Sequence, residues 1–152
     1  MASTYTVTRS ATIAATPEEI FPHVANFRNW PAWSPWEELD PDMSKTYTGD
    51  DGTVGSGYSW TGNRKAGAGS MKLTDLQPPL SMTSDLEFLK PFKSSNTMGF
   101  VLSPSGGTTK VTWTMDATHS LMTRIMGAFG LMDKMIGKDF DKGLAKLKSL
   151  VE

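Results

Sequence analysis

Apolar residues along this chain recur with two different periods, and the change from one to the other outlines a fold. In residues 4–14, Tyr5, Val7, Ala11 and Ile13 alternate with Thr4, Thr6, Thr8, Ser10 and Thr12, the period of a half-buried strand. From Lys45 to Thr118 the same period of two returns in short runs separated by turn signals. The runs are Lys45–Gly49, Gly57–Thr61, Ala68–Leu76, Ser81–Leu89, Ser94–Ser103 and Thr108–Thr118. Asp50-Asp51-Gly52, Gly62-Asn63-Arg64-Lys65, Gln77-Pro78-Pro79, Lys90-Pro91-Phe92 and Ser105-Gly106-Gly107 divide them. Six successive strands with tight connections predict an antiparallel meander, seven strands with the first.

After Ser120 the period becomes 3.6. Leu121, Ile125, Phe129, Met132, Ile136, Phe140, Leu144, Leu147 and Val151 fall on one helix face, with no proline among them. Leu121 to Ile136 is apolar nearly all round, whereas from Lys138 onward the helix is amphipathic. A helix apolar on all sides needs cover on all sides, and the sheet is the available cover. The prediction is one α+β domain over 1–152, a curved antiparallel sheet closing on a long C-terminal helix. Between first strand and meander, Thr16-Pro17-Glu18-Glu19 carries a capping box and opens a helix that Pro22 keeps short or bends. Trp30, Trp33 and Trp36, spaced by three and broken by Pro31, Pro35 and Pro41, predict a short helical turn and an aromatic-pinned loop.

Composition narrows the function classes. A formal net charge of −1 with no basic run argues against nucleic acid. There are no cysteines, so disulfide and thiolate chemistry are excluded. With no signal-peptide pattern and no 18-residue apolar span, the expected location is the cytoplasm, without stable membrane insertion. Ten methionines and five tryptophans suit an adaptable core or a cavity with soft apolar walls.

Catalytic candidates are few. His23 and His119 form no metal pair, and no serine sits in a nucleophile elbow. Gly55-Ser56-Gly57, Gly67-Ala68-Gly69 and Ser105-Gly106-Gly107 lead into no helix and read as strand-end flexibility. Glu37 and Glu38 stand beside Trp36, and Asp85 and Glu87 share one face of a strand. On the solvent side these last two are surface acids. Turned inward, Glu87 between Leu86 and Phe88 is a desolvated general acid, the one catalytic candidate. Asn63 reads as a turn former or a ligand donor, and Arg9 as a rim residue or a cation reaching into a cavity. The apolar inventory is larger. Trp60, Met71, Leu73, Met98, Phe100, Trp113 and Met115 share the apolar parity of their strands and face Met122, Met126 and Phe129 of the helix. They are the candidate ligand-binding residues, as core or as the lining of a cavity thinned by Gly127 and Gly130.

Ala15-Thr16-Pro17-Glu18-Glu19-Ile20-Phe21, Trp30-Pro31-Ala32-Trp33-Ser34-Pro35-Trp36, Trp60-Thr61-Gly62-Asn63, Leu86 to Phe92 and Thr109 to Trp113, in this order, resemble the START-like (SRPBCC) superfamily over essentially the whole chain. The similarity is to its bacterial polyketide cyclase/dehydrase-type branch. It implies a helix-grip fold holding an apolar ligand between sheet and long helix, without metal or organic cofactor, in a monomer or weak homodimer. The expected function is binding, transport or sequestration of a hydrophobic or aromatic small molecule. The alternatives are a cyclase or dehydratase using acid–base catalysis in that cavity, and an interaction module of the Hsp90-ATPase-activator type.

Overall fold

The computed structural model describes residues 4–34, 42–50, 52–63, 67–90, 94–118 and 129–152. Seven strands form one antiparallel sheet: β1 Thr4–Ile13, β2 Ser44–Thr48, β3 Gly57–Thr61, β4 Ala68–Gln77, β5 Ser81–Lys90, β6 Ser94–Ser105 and β7 Thr108–Thr118. Their order is β1-β7-β6-β5-β4-β3-β2. The meander therefore pairs each strand with its neighbour in sequence, and only β1 crosses the chain, pairing with β7 from Thr4↔Thr118 to Ile13↔Thr109. Register shifts between Ala68 and Gly69 and between Leu73 and Asp75 mark irregularities in β4, where a sheet gains curvature.

Helix α1 (Pro17–Ala25) starts as the sequence predicts. The Glu19 amide donates to Thr16 Oγ1 at 3.2 Å and the Thr16 amide donates to Glu19 Oε1 at 3.2 Å, a reciprocal cap. Asn26 ends the helix in an extended conformation, and a 3₁₀ turn, Phe27–Ala32, follows. This turn is tied to α1 by its indoles. Trp30 Nε1 donates to the Val24 carbonyl at 3.0 Å, and Trp33 Nε1 to the His23 carbonyl at 2.8 Å. Both rings are buried, so the tryptophan segment is part of the core. Its continuation, with Trp36, Glu37 and Glu38, lies outside the described residues.

Helix α2 (Phe129–Val151) is about 35 Å long. The stretch predicted to begin it, including Met122, Met126 and Gly127, lies outside the described residues, as does His119 at the junction before it. Phe140, Leu144 and Leu147 form its buried stripe, and Lys138, Asp141, Lys142 and Lys148 are exposed, as the amphipathic pattern requires. The helix rests against β1 and is held there by polar contacts along the strand. Arg9 Nε lies 3.6 Å from Asp141 Oδ2, Lys148 Nζ donates to the Thr12 carbonyl at 3.2 Å, and the Ala14 amide donates to Glu152 Oε2 at 2.9 Å. Arg9 is thus a rim residue. Its guanidinium lies over Gly137, where a Cβ would come within 2.2 Å of Nη2. The glycine is what lets an arginine pass this close to a helix.

Candidate functional site

Cross-strand register sorts the inner face of the sheet into rows. One row runs Trp113, Phe100, Met82; the next Val7, Met115, Met98, Ser84, Leu73. A third runs Asn96, Leu86, Met71, Tyr58, Tyr47, and a fourth Phe88, Gly69, Trp60. The strand-borne candidates Trp60, Met71, Leu73, Met98, Phe100, Trp113 and Met115 all lie in these rows and therefore share the concave face. Phe129 opens α2, but its side chain, like Met122 and Met126 as a whole, is outside the described set.

The face has two differently built halves. Towards β1 and β7 it is filled by aromatic rings. Trp113 stacks on Phe140 of α2 with centroids 4.0 Å apart and planes 7° from parallel, and on Phe100 at 4.9 Å. Trp33 meets Trp113 edge-on at 5.4 Å, and Trp30 meets it at 5.9 Å. All five rings are at most 2% exposed. Packing of this kind leaves no room for a ligand among them.

Towards β2 and β3 the aromatic residues are only half-buried. Tyr47, Trp60 and Phe88 are each partly exposed, and Tyr58 is buried beside them. Tyr47 and Tyr58 have centroids 5.1 Å apart, Tyr58 and Trp60 stack at 5.8 Å, and Trp60 meets Phe88 edge-on at 6.0 Å. Arg28 lies 5.1 Å over the Tyr47 ring. Gly69, paired with Trp60 on one side and Phe88 on the other, creates the platform. A Cβ there would stand 2.7 Å from the Trp60 ring and 2.4 Å from the Glu87 carbonyl. The missing side chain lets the indole lie flat across the row.

The polar groups on or near this surface are mostly engaged locally. Ser84 Oγ donates to the Asp85 carbonyl at 2.8 Å, and Asn96 Nδ2 to the Leu86 carbonyl at 3.1 Å. The Ser56 hydroxyl, just before β3, is buried and has no hydrogen-bond partner among the described residues. His23 stays in α1, where burial holds its imidazole pKa below the usual value. Asp85 and Glu87 are both exposed, on the face opposite Leu86 and Phe88. Of the two readings of Glu87 the structure takes the surface acid, which corrects the alternative of a buried general acid. The strand keeps its alternation there, so flanking apolar residues point inward while the carboxylate points into water. Asn63 is exposed at the β3–β4 connection. Among the described residues, no group of three or more His, Asp or Glu side chains is placed to hold a metal ion.

The family described as polyketide cyclase / dehydrase and lipid transport matches residues 4–152. The chain belongs to this family. A search of curated proteins finds no matching sequence. Solved structures extend the likeness in fold. Protein CV1439 from Chromobacterium violaceum superposes with a TM-score of 0.70 at 12% identity, covering 97% of this chain and 96% of that one. The Mll3558 protein from Rhizobium loti gives 0.69 at 18% identity, covering 96% and 99%. The Aha1 dimer from Colwellia psychrerythraea gives 0.66 at 20% identity, covering 97% and 96%. At these identities the likeness is one of fold. Among the described residues, no helix is long and apolar enough to cross a membrane.

Membership of the family and the helix-grip fold agree with the motifs quoted above. Reading the sequence alone missed Tyr47, Tyr58 and Phe88 as members of the site, and Phe140 as the partner of Trp113. The signal for the first three was available. Each has the parity of an inner-face residue within its strand; Tyr58 shares a face with Trp60 two positions along β3, whereas only the cross-strand register brings Tyr47 and Phe88 to them.

Proposed function

We propose that the protein binds a hydrophobic, ring-bearing small molecule on the concave face beside Trp60, for transport or sequestration rather than for turnover. The observation that carries this reading is the half-buried aromatic patch of Trp60 and Phe88, paired on either side of Gly69, with half-buried Tyr47 in the adjoining row. Aromatic side chains left partly exposed on an otherwise apolar inner face are the kind of lining that takes an apolar ligand. Against a reaction stands the polar inventory. Glu87 faces outward, and the serine and asparagine hydrogen bonds above are spent on neighbouring backbone carbonyls. The family description spans both catalysis and transport, and this inner face fits the second better.

The test is native mass spectrometry of the purified protein, with organic extraction of any bound molecule, followed by titration of the emptied protein with a naphthalene fluorophore. The expected result is a bound or displaceable apolar ligand whose affinity falls about tenfold or more in Trp60→Ala, because one desolvated aromatic contact of 1.4 kcal/mol is already a factor of ten. An emptied protein that binds no apolar probe, or a Trp60→Ala variant that binds unchanged, refutes the reading.

A further inference from the structure

The outer face of the sheet carries a hollow and, two residues along the same strand, a projection. Gly99 lies in β6 between Thr83 of β5 and Thr114 of β7. A hollow of about 150 Å³ opens there, with Thr83, Thr97, Gly99, Val101, Thr114 and Asp116 in its lining. Val101 is 52% exposed, between Ser81 and Thr112. A single exposed valine needs no explanation. A valine set beside a hollow able to accept a branched aliphatic side chain does.

We propose that this face docks on a second copy of the chain, Val101 of each protomer seating in the Gly99 hollow of the other. The operator is a two-fold axis lying between the two facing sheets, at right angles to β6 and level with Phe100. It turns β6 end for end while keeping each strand over its own counterpart. The row of Gly99 then faces the row of Val101, and the row of Thr97 faces the row of Ser103. On β7 those last two rows hold Asp116 and Lys110. Asp116 of each copy therefore comes over Lys110 of the other, two ion pairs generated by an operator chosen only to match valine to hollow. Both residues are exposed, and Asp116 already accepts a 2.6 Å hydrogen bond from Thr6 Oγ1 that holds its carboxylate on this face.

On the four strands β1, β7, β6 and β5, the remaining outer side chains between the rows of Thr97 and Ser103 are short, apart from exposed Asp85 at the β5 end of the Thr97 row. Thr8, Ser10 and Thr12 on β1 and Thr112 and Thr114 on β7 are short hydroxyls, compatible with the ~10 Å separation of stacked sheets. The contact is isologous, so it closes as a dimer and does not propagate. Four strands by about seven residues span about 19 by 23 Å, so two convex outer faces bury at most roughly 440 Å² per partner, about half of a standard interface. The dimer is accordingly weak and concentration-dependent.

Sedimentation of the full chain from micromolar to millimolar concentration tests this directly. Wild type should shift from monomer to dimer across that range. Val101→Ser, Lys110→Glu and Asp116→Lys should each weaken the dimer about tenfold. The double variant Lys110→Glu with Asp116→Lys should recover it, because each reversed charge again meets its opposite. All three positions are exposed, so circular dichroism of each variant should match wild type. A wild type that stays monomeric at millimolar concentration overturns the proposal. So does a dimer insensitive to Val101→Ser, or a double variant no tighter than the singles. Ligand binding beside Trp60, on the other face, is read separately and does not enter this result.

Discussion

Replacing Trp113 by alanine removes the ring at the centre of the filled half of the core. The indole is wholly buried, sandwiched between Phe140 and Phe100, with Trp30 and Trp33 meeting its edges. Truncating a buried Trp costs about 3–5 kcal/mol, and the cost rises with the cavity left behind. Here the surroundings collapse poorly, since the ring's neighbours are themselves held by a sheet, a helix and two indole hydrogen bonds to α1. Stacked pairs add about 0.5–1.5 kcal/mol each beyond area. The expectation is therefore about 4–5 kcal/mol, a large share of the ~5–15 kcal/mol that holds a domain of this size together. Urea denaturation followed by far-ultraviolet circular dichroism measures it, since tryptophan fluorescence changes with the mutation itself. Trp113→Phe keeps one aromatic ring in the stack and should lose about half as much, which preserves a reading if the alanine variant does not fold. Trp60→Ala, on the same face but half-exposed, should cost only about 1–2 kcal/mol. A loss below about 2 kcal/mol for Trp113→Ala, or equal losses at 113 and 60, would refute the division of the concave face into a filled and an open half.

Other expectations are separately measurable. Gly69→Ala places a methyl against the Trp60 ring and the Glu87 carbonyl, and should cost about 1–3 kcal/mol while abolishing binding of an aromatic probe. Gly137→Ala should be neutral or destabilising in wild type, but stabilising by up to about 1 kcal/mol once Arg9 is shortened to alanine, because helix propensity then acts without the overlap; a double-mutant cycle without coupling contradicts it. Ser56→Ala should stabilise by about 1 kcal/mol by deleting a buried hydroxyl that has no partner among the described residues, and a loss of stability would show that the hydroxyl has a bound partner. The lowered pKa of His23 means that the unfolded chain takes up its proton first on acidification. This contribution to stability is complete above the ordinary imidazole pKa of 6.5 and is lost as the pH falls towards the lower, folded value. His23→Gln should flatten that part of the urea-midpoint profile, and an unchanged slope assigns it to other groups.

Much of this architecture is legible in local patterns. The capping box at Thr16 and Glu19, the alternation in β1 and β7, and the helical stripe of Phe140, Leu144 and Leu147 are each set by interactions within a few residues. A strand's alternation also assigns every side chain to one of two faces, so Trp60, Met71, Phe100 and Trp113 each fall on the apolar side of their own strand, and the register joins those sides into one face. Parity does not say which face is concave, and that is how Glu87 became a candidate acid. Its neighbours Leu86 and Phe88 point inward because β4 and β6 place Met71 and Asn96 in register with Leu86.

What the sequence by itself determined was the order, type and approximate extent of the elements, and through its motifs the family. Those features depend on period, caps and turns, whose energetics are local. The tertiary structure alone decided where the core is filled and where its aromatic surface stays half-open. Trp113 meets Phe140 across 26 intervening residues, through a chain reversal and a sheet curvature that no periodicity encodes, and Trp60 meets Phe88 only because Gly69 of the strand between them lacks a side chain. Arg9 is likewise settled from a distance: a glycine on α2 and a carboxylate one turn further along hold it at the rim rather than in the interior. Such contacts depend on packing between elements far apart in the chain, and the chain's local pattern is the same whether they form or not.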